Sequence, residues 1–282
     1  MNSIKSAMNV IWKKLFFVKA DRNKYDDSCP LFSEIPTVSD TSKIDALCPS
    51  ARPPVEAKSV YDLFAGNGEL IHKLCDASTL SEEEAERFLL PVIKNLAMIV
   101  HLAPDSEYDH HQGYGGLFTH SLEVALYVAN EATITIFDDS ASLREQHKNA
   151  RFWILTAILA ALCHDIGKVF TDMTITAPDG QRWSHNEPLL LWLRKNKIEK
   201  YFISFNPERD PTDYKSASIA KNAMLIPTDT FKFLAESGCG VVMESALWEA
   251  VLYGKIGGVI GGMLDNANDM SRSADQLRQR QS

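Results

Sequence analysis

The sequence predicts a mainly α-helical fold, a helical bundle carrying one small β-hairpin. Two observations point there. Apolar residues recur at helical spacing through most of the chain from Ser59 onward, in segments separated by Pro, Gly and short polar stretches. A strand-like alternation around a turn signal occurs once, over Thr174 to Trp183 around Pro178-Asp179-Gly180. No strand-helix-strand alternation suggests a parallel sheet, and there is no internal repeat.

The elements follow in order. Residues 1 to 19 predict a short amphipathic helix, and residues 20 to 57 an irregular arm rich in Pro, Ser and Asp. Residues 58 to 282 then form one domain. Tyr61 to Cys75 carries an apolar stripe. Ser81 is an N-cap with three acids behind it, opening a helix to Leu90; Pro91 starts the next, reaching about Leu102. A glycine-rich loop holding His110 and His111 leads into a helix over Leu117 to Glu131. Arg151 to Leu162 is a core helix by its continuous apolarity. After the hairpin come a helix over Glu187 to Asn196 and a short strand over Lys200 to Phe205. Helices over Ser216 to Leu225, Thr228 to Ser237, Glu244 to Tyr253 and about Val259 to Arg280 complete the chain.

Composition narrows the function. With 45% hydrophobic and 23% charged residues, the 282-residue chain is an ordinary globular protein. A net charge of −8 argues against a uniformly basic nucleic-acid coat, but not against a local groove or a metal that handles phosphate. The five cysteines, Cys29, Cys48, Cys75, Cys163 and Cys239, are scattered and odd in number. That suits free thiols in a reducing, cytoplasmic setting rather than a disulfide framework. Val10 to Val18 is broken by Lys13 and Lys14 and is too short to span a membrane.

The chemistry concentrates in Cys163-His164-Asp165-Ile166-Gly167-Lys168. An adjacent His-Asp pair closing an apolar helix, with His120 on another helix, offers imidazole and carboxylate ligands suited to Fe, Mn, Zn or Mg. His120 shares a helical stripe with Leu117, Val124 and Val128 and so points inward. A lone inward His is more often a hydrogen-bonded core residue; the His-Asp pair tips the balance to a metal. Gly167 would let the helix end and a ligand approach, and Lys168 would bring a mobile positive charge for a phosphate. His110 and His111 are candidates for a second metal, a phosphate contact or proton transfer. Asp265 and Asp269 stand one turn apart on a late helix, where either carboxylate could face inward.

His120, then His164-Asp165-Ile-Gly-Lys168, then a late Asp resembles the HD superfamily of metal-dependent phosphohydrolases. The longer string Asp109-His-His-Gln-Gly-Tyr-Gly-Gly-Leu-Phe-Thr-His120-Ser-Leu-Glu-Val, with His164 through Asp172-Met, is similar to MobH-type (TraI-like) conjugative relaxases. The likeness continues more loosely through Asp179-Gly180, Trp183, Tyr201 to Arg209 and Pro227, over roughly residues 60 to 280. It departs where such relaxases tend to show a His and this chain has Tyr214 and Lys215; His185 stands elsewhere in the pattern.

The resemblance implies an HD-domain helical bundle that nicks DNA at a conjugative transfer origin, with other conjugation proteins as partners. It implies one or two divalent ions, Mn²⁺ or Mg²⁺ before Fe or Zn. The metal ligands would be His120, His164, Asp165 and Asp269, the last because a polar cluster and Ala274-Asp-Gln-Leu277 follow it. Lys168, His110 and His111 would serve catalysis. The nucleophile, water or a tyrosine such as Tyr114 or Tyr127, stays open. So do two other functions, an HD-type phosphohydrolase of nucleotides or small phosphoesters and a non-catalytic HD-fold binding module of a transfer apparatus.

Overall fold

A computed structural model describes residues 53–210 and 212–281. The helix expected over residues 1 to 19 and most of the arm expected over 20 to 57 lie outside the described residues. The part of the arm that is described holds a strand, β1 (Val55–Glu56).

Helices dominate the described chain. α1 (Val60–Gly66) starts at Ser59, whose hydroxyl and the Asp62 carboxylate cap each other's backbone amides. The apolar stripe over Tyr61 to Cys75 is divided between two helices at Asn67, where α2 (Gly68–Ala77) begins. Thr119 donates to the Asn67 side chain at 3.0 Å, tying the break to a neighbouring helix. The helices expected on either side of Pro91 are instead one continuous run. It comprises α3 (Glu82–Glu84), a π-turn (Ala85–Leu89) and α4 (Leu90–Val100). Proline lacks an N–H and its ring collides with a preceding carbonyl of a regular helix; the wider π-turn just before Pro91 relieves both.

α5 (Gly116–Ala132) and α6 (Leu143–Cys163) form the centre and pack along each other. α6 starts eight residues earlier than its apolar run suggested, because Ser142 and Glu145 form a capping box. Among the described residues one helical run, Leu143–Thr171, is long and apolar enough to cross a membrane. Of its apolar window 89% is buried inside the fold, as befits a core helix.

A turn over 164–167 leads to α7 (Lys168–Thr171) and β2 (Met173–Thr176). α8 (Leu189–Lys195) precedes β3 (Lys200–Phe205). The three strands form an antiparallel sheet in the order β1-β3-β2, with Met173 opposite Phe205 and Val55 opposite Tyr201. The expected hairpin around Pro178 is present in short form: Ala177 N donates to the Gln181 carbonyl, Trp183 N to the Ile175 carbonyl, and Thr176 bridges to Arg182, while the other edge of β2 pairs with β3. Tyr201 is fully buried and its hydroxyl is 2.6 Å from His101 Nδ1, which fixes the sheet to the end of α4. α9 (Asp213–Ala220), α10 (Asn222–Leu225), α11 (Thr228–Ala235) and α12 (Gly240–Tyr253) follow. After a 3₁₀ turn (Gly254–Gly257), α13 (Gly258–Gln281) runs back across α5.

Candidate metal centre

Three elements bring the candidate ligands together. His120 projects from the first turns of α5, fully buried. His164 and Asp165 leave the end of α6, where the turn frees both side chains to face the same way. The loop between α4 and α5 adds Asp105, His110 and His111, all buried. Four of the eight histidines of the chain thus share one region, and the His120 ring centroid lies 5.4, 5.0 and 5.4 Å from those of His110, His111 and His164.

Among the described residues, two groups of donors could hold a metal ion: His120, His164 and Asp165, and His110, His111 and His120. They compete for His120, since an imidazole nitrogen has one lone pair to give. The hydrogen bonds separate them. His164 Nδ1 is 2.6 Å from the Ala161 carbonyl, which can only accept, so Nδ1 carries the proton and Nε2 is the free lone pair. His164 Nε2 and His120 Nε2 are buried without a hydrogen-bond partner, although Asp165 Oδ2 lies 3.1 Å from the first and 3.5 Å from the second. Two nitrogens and an oxygen at such separations match ligands bound at roughly 2.1 Å to a common ion. His110 is differently placed. Its Nδ1 is hydrogen-bonded to Asp109 at 2.9 Å, and its Nε2 lies 2.6 Å from Asp105 Oδ2, a buried atom that itself has no hydrogen-bond partner.

Lys168 does not wave in solvent as a mobile charge. Its ammonium sits 2.7 Å from Asp105 Oδ1 and 2.7 Å from Asp165 Oδ2, a fixed cation between two buried carboxylates. Burial opposes the charged form of all three groups, and their mutual attraction overcomes it: both acids are held well below the usual range and Lys168 is raised. Burial holds His120 below its ordinary pKa. For His164 burial pulls the same way, but the Asp165 carboxylate outweighs it and the net shift is upward. Asp105 likewise outweighs burial at His110.

Asp269, expected as the closing ligand, is exposed on α13 and belongs to neither donor group. The residue that α13 turns towards His120 is Ser271, fully buried and two positions further on, about 200° around the helix. Asp265 is also exposed, and its carboxylate accepts from the Lys255 backbone amide at 2.8 Å. His185 packs between Phe170 and Trp183 and is no part of either group. Tyr114 donates to the Pro53 carbonyl. The tyrosine that does face the centre is Tyr214 of α9, with the Lys168 ammonium 5.6 Å from its ring and its pKa pushed up to about 12 by burial and the Asp165 charge.

Gly167 has a different task from the one its place at a helix end suggested. Its φ of −59° is open to any residue, but a Cβ there would lie 1.8 Å from the Tyr214 carbonyl oxygen. The glycine lets α9 press onto the turn, where Ser218 Oγ accepts from Gly167 N and donates to the His164 carbonyl.

Sequence reasoning missed Asp105 and Glu123; Ser271 was visible only as one member of the polar cluster after Asp269. Asp105 sat in a loop with only a Pro104-Asp105 turn signal, and Glu123 lay unremarked in the His120-Ser-Leu-Glu motif. Comparison with curated proteins and with solved structures gives no match. A family model does: TraI_2, described as "Putative helicase", matches residues 55–281, and the chain belongs to that TraI-like family.

Proposed function

We propose that this chain is a metal-dependent DNA relaxase domain that cleaves a phosphodiester at a conjugative transfer origin. The observation that carries the reading is the pair of buried, unpartnered Nε2 atoms of His120 and His164 converging on Asp165. Buried polar atoms are almost always hydrogen-bonded, so two orphans on one carboxylate suggest a cation as the missing partner. His120, His164 and Asp165 would hold one divalent ion, with Asp105 on their flank. Such an ion neutralises phosphate charge and lowers the pKa of a bound water.

The chain's own residues supply the rest. Lys168, already oriented by Asp105 and Asp165, offers a positive charge to a phosphate oxygen at the same place. His110, set between Asp105 and Asp109, would hold a proton for a departing oxygen. The family supports the conjugative setting. Its helicase description finds no motor in these residues: the sequence contains no G-x-x-x-x-G-K-S/T phosphate loop.

A second reading is an HD-type phosphohydrolase of small phosphoesters. It is favoured by the net charge of −8 and by the acids Asp109 and Asp275 beside the centre, which repel a polyanion. Supercoiled plasmid with and without the cognate origin, incubated with Mn²⁺ or Mg²⁺, separates the two. Origin-dependent nicking that stops on chelation and in His164→Ala supports the relaxase. Hydrolysis of a small phosphodiester with no nicking of origin plasmid overturns it in favour of the second reading.

A further inference from the structure

Behind His120 lies a chain of buried polar groups that the metal reading alone does not use. Ser271 Oγ donates to Glu123 Oε2 at 2.7 Å and stands 3.0 Å from His120 Nδ1. A hydroxyl has one proton. With that proton on Glu123, Ser271 can only accept at its other contact, so His120 Nδ1 must carry a hydrogen and Nε2 must present a lone pair. Glu123 also accepts from Arg278 Nη1 at 2.9 Å and faces His111 Nε2 at 3.2 Å. His111 is oriented further by Asp275, which accepts its backbone amide at 2.6 Å. One carboxylate therefore sets the hydrogen positions of two imidazoles, one directly and one through a serine from a helix 148 residues away in the chain.

We propose that Glu123 is a positioning residue of this centre, acting through Ser271 to fix His120 as the Nδ1–H tautomer with Nε2 aimed at the ion. The proposal rests on the metal reading for its purpose, but the tautomer it assigns does not depend on metal. A carboxylate behind a ligating histidine raises the ligand's basicity and locks its ring, and loss of such a partner typically weakens metal affinity by about 10–100-fold. Ser271 passes that influence across one extra hydrogen bond and anchors α13 over the site at the same stroke.

The test uses the full chain labelled with ¹⁵N at histidine, read by nitrogen shifts without metal and then by titration calorimetry with Mn²⁺ alone. In the unsubstituted protein His120 should be the Nδ1–H tautomer. Glu123→Gln and Ser271→Ala should move it towards Nε2–H and weaken Mn²⁺ binding by about 10–100-fold, with the circular dichroism spectrum unchanged. Ser271→Thr keeps the hydroxyl and should restore both. Should Glu123→Gln fail to fold because Arg278 loses its partner, the Ser271→Ala and Ser271→Thr pair decides. An Nε2–H tautomer in the unsubstituted chain, or the same tautomer in Ser271→Ala, overturns the proposal. The metal reading fails separately, if His120→Ala binds Mn²⁺ as tightly as the unsubstituted chain.

Discussion

At the scale of single residues, the centre is a balance of buried charge. Asp105 and Asp165 are tolerable in the interior because both share the Lys168 ammonium, whose single positive charge offsets one of their two negative charges. Removing one partner of a buried ion pair typically costs about 3–5 kcal/mol. Lys168→Met should therefore destabilise the fold by about that amount in urea unfolding, and saturating Mn²⁺ should recover more stability in this variant than in the unsubstituted chain, because the ion replaces the lost charge. Equal gains in both proteins would show that Lys168 and the ion do not share the carboxylates. Glu123 sets a pH dependence. Burial opposes its charge, but His111, Ser271 and Arg278 prevail and hold its pKa at about 2, against 4.5 for the ordinary group. A depressed acid stabilises the fold fully above its unfolded pKa and less as pH falls from about 4.5 towards 2. Stability measured across that window should drop, and Glu123→Gln should flatten this part of the curve. The sequence brought His120, His164 and Asp165 to one centre because a motif joins two of them and a helical stripe turns the third inward. It could not place Asp105, whose loop has no periodicity, nor decide which face of α13 meets α5.

At the scale of elements, helix positions were more legible than helix joints. The core helix α6 is plain from its apolar run, while its start depended on Ser142 and Glu145 capping each other. Pro91 looked like a boundary by the usual rule, and the π-turn before it carries the helix through. The hairpin around Pro178-Asp179-Gly180 forms as its turn signal predicts, but its returning arm is short; what the local pattern could not show is the longer ladder on the other edge of β2, because β3 is a distant partner. Gly167 shows how an element joint can be set by a missing side chain. Its hypothetical Cβ would strike the Tyr214 carbonyl, so Gly167→Ala must push α9 off the turn that carries His164 and Asp165. Overpacking of this kind costs typically about 1–3 kcal/mol. The expected result is a lower melting temperature together with weaker Mn²⁺ binding; a shift in stability alone would mean that α9 does not help to hold the ligands in place.

At the scale of the whole molecule, the mainly α fold with a small antiparallel sheet agrees with what composition and periodicity predict. Net charge leads to one further expectation. With no uniformly basic coat, and an ion proposed to hold the phosphate, affinity for an origin oligonucleotide should vary only weakly with salt yet fall sharply on chelation. A steep salt dependence unaffected by chelator would place the grip on DNA away from the metal. The contact between His120 and Ser271 spans 151 positions of the chain. Closing so long a loop costs configurational entropy before the contact gives anything back, which makes it a late event on the way to the native state. Refolding followed by two probes should reveal an order of events: far-ultraviolet ellipticity, dominated by local helices, recovering first, and competence to bind Mn²⁺ appearing in a slower phase. The centre would then act as a proofreader of the fold, accepting its ion only from molecules whose last helix has reached its berth.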